Sequence, residues 1–314
     1  MFSRRFLRIK ALKAIYAHQS GAADSLVAEE KALLSGIDKA YDLYFLTLAL
    51  IGAVRKYAEE RIEIGLNKKL PTAEDLNPNR KFIENEVIAQ IDNDEQLDHI
   101  LAVKKLSWHN NPELIKHLYQ SMIEADYYKE YMAADKRSYA DDRRLVEEFY
   151  VETVQDDAQL TDLLEEQSIN WSDDLDFILS MVLRTLAAMK KDATELPLQP
   201  QYKSEDDKAF VRRLFAEAAV GYDANLAVVE QFTQNWDVDR IALMDNIIMT
   251  TAIAELVCFD TIPVKVTLDE YIEISKYYST VGSSNFINGV LDKVVESLTA
   301  QGKITKMGRG LVEV

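Results

Sequence analysis

The sequence predicts an all-α fold, and three observations carry that prediction. Apolar residues recur at spacings of three and four along almost every segment. Only 10 Gly and 6 Pro stand among 314 residues, too few for the turn-dense chain of a β-sandwich. A helical pattern also repeats at an offset of 65 residues.

The first element spans the amino terminus, where Leu7, Ala11, Ala14 and Ile15 form one stripe and Arg4, Arg8 and Lys10 fall on other faces. A second helix is expected over Gly36–Ala58, with Leu43, Leu46, Leu50 and Val54 inward. The stretch 65–80 gathers Gly, two Pro and three Asn, and reads as a linker; helices resume at Lys81. Another break falls at 195–201, where two prolines remove backbone donors. The offset of 65 pairs Asp142 with Asp207, Val146 with Val211, Asn170-Trp171 with Asn235-Trp236, Asp174 with Asp239 and Thr185 with Thr250. Each copy reads as a helix, an Asn-Trp turn wedged by its Trp, and a second helix with an acidic first turn, as the helix dipole prefers. Farther on, Pro263 is expected to precede an extended stretch, and Thr267-x-x-Glu270 reads as a capping box opening a helix. After a Gly282-Ser283-Ser284 loop, Phe286 to Asp292 opens the last helix, with Gly289 expected to let a neighbour approach closely.

Charge and cysteine usage narrow the function. The net charge is −17, yet residues 1–19 carry Arg4, Arg5, Arg8, Lys10 and Lys13 with no acid, so the remainder sums to about −22. A cationic end on an anionic body fits a localised phosphate contact. Residues 141–180 hold 13 acids against Arg143 and Arg144 and read mainly as solvated helix surface. The single cysteine, Cys258, excludes an internal disulfide framework, points to a reducing compartment, and reads as a packed core thiol with no basic neighbour in sequence. With no apolar run of about 20 residues and no signal-peptide core, a cytoplasmic chain is expected.

Catalytic constellations are scarce. His18, His99, His109 and His117 show no metal-ligand spacing, and no Gly-x-Gly-x-x-Gly or Walker loop precedes a helix, so no metal, cofactor or enzymatic activity is expected. Two segments do carry a signal. Arg4-Arg5-x-x-Arg8 starts a helix on which Tyr16 follows two turns after Arg8, pairing guanidinium groups that bind phosphates with a ring that can stack on an unpaired base. The second is 261–298, ending in Phe286-Ile287-Asn288-Gly289-Val290-Leu291-Asp292.

Together these segments resemble the NusB family of transcription antitermination factors. Arg4-Arg5-x-x-Arg8 with Ala11-Leu12-x-Ala14-Ile15-Tyr16 is similar to the family's arginine-rich first helix. Asp239-Arg240-x-x-Leu243-x-Asp245 resembles the start of its central helix, and Ile262-Pro263-x-Lys265-Val266 with the Phe286–Asp292 string resembles its carboxy-terminal signature. The chain departs from the family pattern at Asn246, Thr250 and Ala254 and in the uncharged Gly282–Asn285 loop. The resemblance implies a helical bundle of the NusB type enlarged by an inserted, repeat-bearing helical region. It implies binding, with the ribosomal protein NusE, to single-stranded boxA leader RNA within an RNA polymerase antitermination complex. On that resemblance Arg4, Arg5 and Arg8 hold phosphates, Tyr16 and Phe286 contact bases, and Asp239 and Asp245 face the basic partner. The expected organisation is an arginine-rich helical segment at 1–64, a linker at 65–80, an insertion at 81–200, the NusB-like bundle at 201–300 and a disordered tail at 301–314. The competing reading is a helical scaffold whose acidic 141–180 face recruits basic proteins.

Overall fold

A computed structural model describes residues 1–21, 25–171, 173–233 and 241–311. All of its regular structure is helical among these residues. The chain folds into two compact units, residues 38–201 with Met1, and residues 2–37 with 202–314. The second break in sequence therefore coincides with a unit boundary, while 65–80 lies inside one unit.

The first unit begins within α2 (Leu26–Leu48), followed by α3 (Leu50–Leu66), α4 (Ala73–Leu76), α5 (Glu86–Asp92), α6 (Glu95–Lys104), α7 (Pro112–Glu124) and α8 (Asp126–Ala133). Then come α9 (Tyr139–Glu148), a π-helical turn (Phe149–Val154), α10 (Ala158–Gln167) and α11 (Leu175–Ala188). The expected single helix over 36–58 is two, broken at Ala49. Two distant side chains account for the break. Trp108 Nε1 donates to Leu46 O at 2.8 Å, and Tyr150 Oη donates to Thr47 O at 2.9 Å and Leu48 O at 3.0 Å. They supply donors to carbonyls at the end of α2, where the backbone ladder is interrupted. The π-turn that carries Tyr150 lies in the core of the unit, with Phe149 and Tyr150 buried beside Leu145 and Val146.

Local capping sets several ends in this unit. Thr72 and Asp75 form a capping box on α4, and Ser138 and Asp141 form another on α9. Pro112 opens α7 rather than dividing a helix, so His109 precedes it and His117 lies within it, 2.6 Å from Asp157. Trp171 is buried and donates to Lys39 O at 2.8 Å; Trp236, its counterpart at the 65-residue offset, lies outside the described residues.

The second unit comprises α1 (Arg4–Gln19), the first half of α2, α12 (Glu205–Val220), α13 (Tyr222–Phe232), α14 (Leu243–Cys258), α15 (Val264–Tyr278) and α16 (Ser283–Ala300). α14 is central, packing on α1, α12, α13, α15 and α16. It is buried nearly all round, from Ile247 to Leu256, as a segment interrupted only by Thr250, Thr251 and Glu255 in an otherwise apolar sequence requires. Each such Ile or Leu contributes about 1.5–3 kcal/mol on removal from water.

Five sequence expectations are corrected in this unit. α15 starts at Val264, directly after Pro263, so the residues after that proline are helical and no extended stretch intervenes. Thr267 is accordingly a buried residue of the helix interior, not its cap. Gly289 is exposed and a Cβ there would meet nothing within 4 Å, so no neighbour presses on it. The tail through Leu311 is docked: Lys306 Nζ donates to Phe259 O at 2.8 Å and Met307 N to Asp260 O at 2.9 Å. Gly310 approaches so closely that a Cβ would fall 2.0 Å from Asp260 O. Cys258 is only half-buried; burial, with Glu217 beside it, pushes its thiol up, and Arg213 and Lys306 come within its electrostatic reach through the fold.

Candidate nucleic-acid interface

Ser3 caps α1 by accepting from Phe6 N at 3.2 Å. The first turn then presents Arg4 and Arg5 and no acid. A helix amino terminus carries partial positive charge, so two cations there are locally unfavourable. The compensation comes from other helices. Arg4 Nε donates to Asp207 Oδ1 of α12 at 2.9 Å, and Arg5 donates through Nε and Nη2 to Glu270 of α15 at 2.8 and 3.1 Å. That hydrogen bonding holds the Arg5 guanidinium above its ordinary pKa, against the opposing effect of burial. Both arginine side chains remain 42% exposed.

Arg8 behaves differently. The stripe expected on α1 is in fact a nearly complete wrap, because Phe6 through Leu12 are all buried, Arg8 and Lys10 included. Arg8 is 2% exposed and forks onto Glu255 of α14, Nε to Oε2 at 2.8 Å and Nη2 to Oε1 at 2.7 Å. Thr267 Oγ1 donates to the same carboxylate at 2.9 Å and Tyr271 Oη at 3.2 Å. Burial works to lower the Arg8 pKa, but the Glu255 charge and hydrogen bonds override it and hold it raised. Arg8 therefore fastens α1 to α14 and α15, and its guanidinium is not presented to a phosphate; this corrects its expected role. Glu255 is the residue sequence reasoning missed. Its signal was a lone acid within the apolar run Ile247–Leu256.

Tyr16 is 42% exposed. Eleven residues beyond Arg5, about three turns at 3.6 residues each, it lies near the same face of α1. Lys13, one turn earlier, sits 5.6 Å from the ring centre of Tyr278 at the end of α15. The fold thus brings the second half of α1 to the end of α15, from which the turn into α16 departs, and Phe286 stands half-buried in the first turn of α16. The end of α15 and the turn after it also display Tyr277, which is 81% exposed, and Val281, fully exposed.

Asp245 holds this turn in place. Its carboxylate is buried and accepts from Ser283 Oγ at 2.9 Å and from Ser279 Oγ. Ser279 and Ser283 close the turn between α15 and α16, so Asp245 is spent inside the bundle instead of facing a partner. Asp239 lies outside the described residues. Among the described residues no group of His, Cys, Asp and Glu has the arrangement of a metal site, and no helix is long and apolar enough to cross a membrane.

Comparison with known proteins adds the family. The NusB family model matches residues 179–296, from within α11 to α16. Transcription antitermination protein NusB of Salinibacter ruber is 38% identical over 117 residues, 37% of this chain and 71% of the relative. The proteins of the same name from Chloroherpeton thalassium and Natranaerobius thermophilus are 42% and 41% identical over 86 and 70 residues, covering 41% and 50% of those relatives. No solved structure matches. An all-α bundle with an arginine-led first helix and this extent of identity to the Salinibacter protein together place the chain in the NusB family.

Proposed function

We propose that this protein is a non-catalytic transcription antitermination factor that binds single-stranded boxA-type leader RNA of ribosomal RNA transcripts together with the ribosomal protein NusE, in the cytoplasm. The observation that carries this reading is the half-exposed pair Arg4 and Arg5 at the start of a helix on which Tyr16 lies near the Arg5 face, in a chain whose net charge is −17. Guanidinium groups supply salt-dependent affinity for phosphates, and an exposed ring selects unpaired bases. Two exposed arginines bind RNA weakly, so a basic protein partner that extends the surface is part of the reading. Residues 81–200 enlarge the bundle as an insertion, and Phe286 adds a second aromatic contact from the first turn of α16.

The test is leader-RNA binding, with and without NusE, by fluorescence anisotropy. Replacing Arg4 and Arg5 by Gln is expected to weaken binding about tenfold and to flatten the salt dependence by about 0.7 for each phosphate no longer neutralised. Tyr16→Ala is expected to cost about 1–3 kcal/mol, the range for one stacked base. Arg8 is left intact, because its removal would unseat α1. Unchanged affinity and salt slope in the double arginine variant would refute the reading.

A further inference from the structure

Resting on the RNA-binding reading, we infer that Glu270 is an affinity-setting residue, an internal carboxylate that occupies the Arg5 fork in place of an RNA phosphate. The geometry is that of a phosphate contact already filled. Glu270 Oε2 lies 2.8 Å from Arg5 Nε and Oε1 lies 3.1 Å from Nη2, the two-pronged edge with which a guanidinium takes a phosphate. RNA can engage that edge only by displacing the carboxylate.

Three features make Glu270 displaceable where its neighbours are fixed. Its side chain is 22% exposed, against 0% for Glu255 and 8% for Asp207, so water can receive it. Its Oε2 already lies 3.8 Å from Arg8 Nη1, so leaving Arg5 does not strand the charge. Arg5 itself remains 42% exposed. Glu255, by contrast, takes Arg8, Thr267 and Tyr271 together and has nowhere to go. Functionally, Glu270 competes with any isolated phosphate, so it weakens contacts with generic polyanions and leaves binding to depend on additional contacts such as a base on Tyr16.

The test compares RNA affinity and salt slope in the full chain carrying Glu270→Gln, Glu270→Asp, Glu273→Gln, Arg5→Gln and Arg5→Gln with Glu270→Gln. Glu273 lies one turn further along α15, pairs with Lys276 and reaches Arg5 through electrostatics without bonding its fork, so its neutralisation reports nearby charge without the two-pronged contact. Glu270→Gln is expected to tighten leader-RNA binding about five- to tenfold, with a salt slope steeper by about 0.7, one added phosphate on a single strand. Glu270→Asp keeps the charge but shortens the reach, and is expected to tighten binding by a smaller factor. The gain is expected to vanish when Arg5 is Gln, the signature of a pairwise competition. If Arg5→Gln weakens binding while both Glu270 variants leave it unchanged, the inference falls and the RNA reading stands. Equal gains from Glu270→Gln and Glu273→Gln also overturn it. If neither Arg5→Gln nor Glu270→Gln moves the affinity, both the inference and the reading fall.

Discussion

The segment from α9 to α11 in one unit and that from α12 to α14 in the other run along the chain in parallel at a 65-residue offset. Residues 139–154 correspond to α12, α10 to α13, and α11 to the first part of α14. Thr185 and Thr250 are both fully buried and both donate to a carbonyl one turn back, Met181 O at 3.1 Å and Asn246 O at 2.8 Å. Asp142 and Asp207 both sit buried near a helix start, facing an arginine Nε at 3.4 and 2.9 Å. The difference lies in what surrounds them. Asp142 also accepts from Glu86 N and from Tyr131 Oη, each at 2.7 Å, inside a closed network. Asp207 holds Arg4, a side chain left 42% exposed. At the position matching Glu255 the first unit has Lys190, just beyond the end of α11. The first unit therefore has no buried acid at the place where the second one anchors an arginine-bearing helix. Similar helical frames serve packing in one unit and the presentation of cations in the other.

The largest effect is expected from Arg8→Ala. Removing one partner of a buried ion pair leaves Glu255 charged and unpaired, and the second unit is expected to lose about 3–5 kcal/mol in denaturant unfolding. A loss below about 1 kcal/mol would mean that α1 is held by apolar packing alone. Next come the paired aspartates. Asp142→Ala leaves the Glu86 N–H and the Tyr131 hydroxyl without their acceptor and is expected to cost about 2–3 kcal/mol. Asp207→Ala breaks a pair with one exposed partner and is expected to cost under about 1 kcal/mol. Equal losses at the two sites would erase the distinction between closed network and surface anchor. The smallest expected effect separates the threonines. Thr185 also bonds Tyr44 Oη at 2.7 Å, so Thr185→Val is expected to destabilise by about 1 kcal/mol more than Thr250→Val, measured by thermal unfolding.

Much of the fold was legible because helical period is a local property. The helix opened by Phe286 to Asp292, the break before Tyr202 and the acidic first turn of α11 all follow from residues within a few positions of one another. The failures share a cause. Ala49 interrupts a periodic helix because Trp108 and Tyr150 arrive from about 60 and 100 residues away to bond the carbonyls just before it. Thr267 reads as a cap because a Glu stands three residues on, yet its hydroxyl is drawn to Glu255 of the preceding helix. The cationic end is evident from charge counting, but counting treats Arg4, Arg5 and Arg8 alike.

By itself the sequence determined an all-α chain, one cationic terminus on an anionic body, and the motifs of the NusB family, because composition and periodicity are fixed by neighbours in the chain. Tertiary structure alone decided which arginines meet solvent. Asp207, Glu255 and Glu270 come from three different helices, and a guanidinium's availability depends on the burial and reach of the carboxylate brought to it.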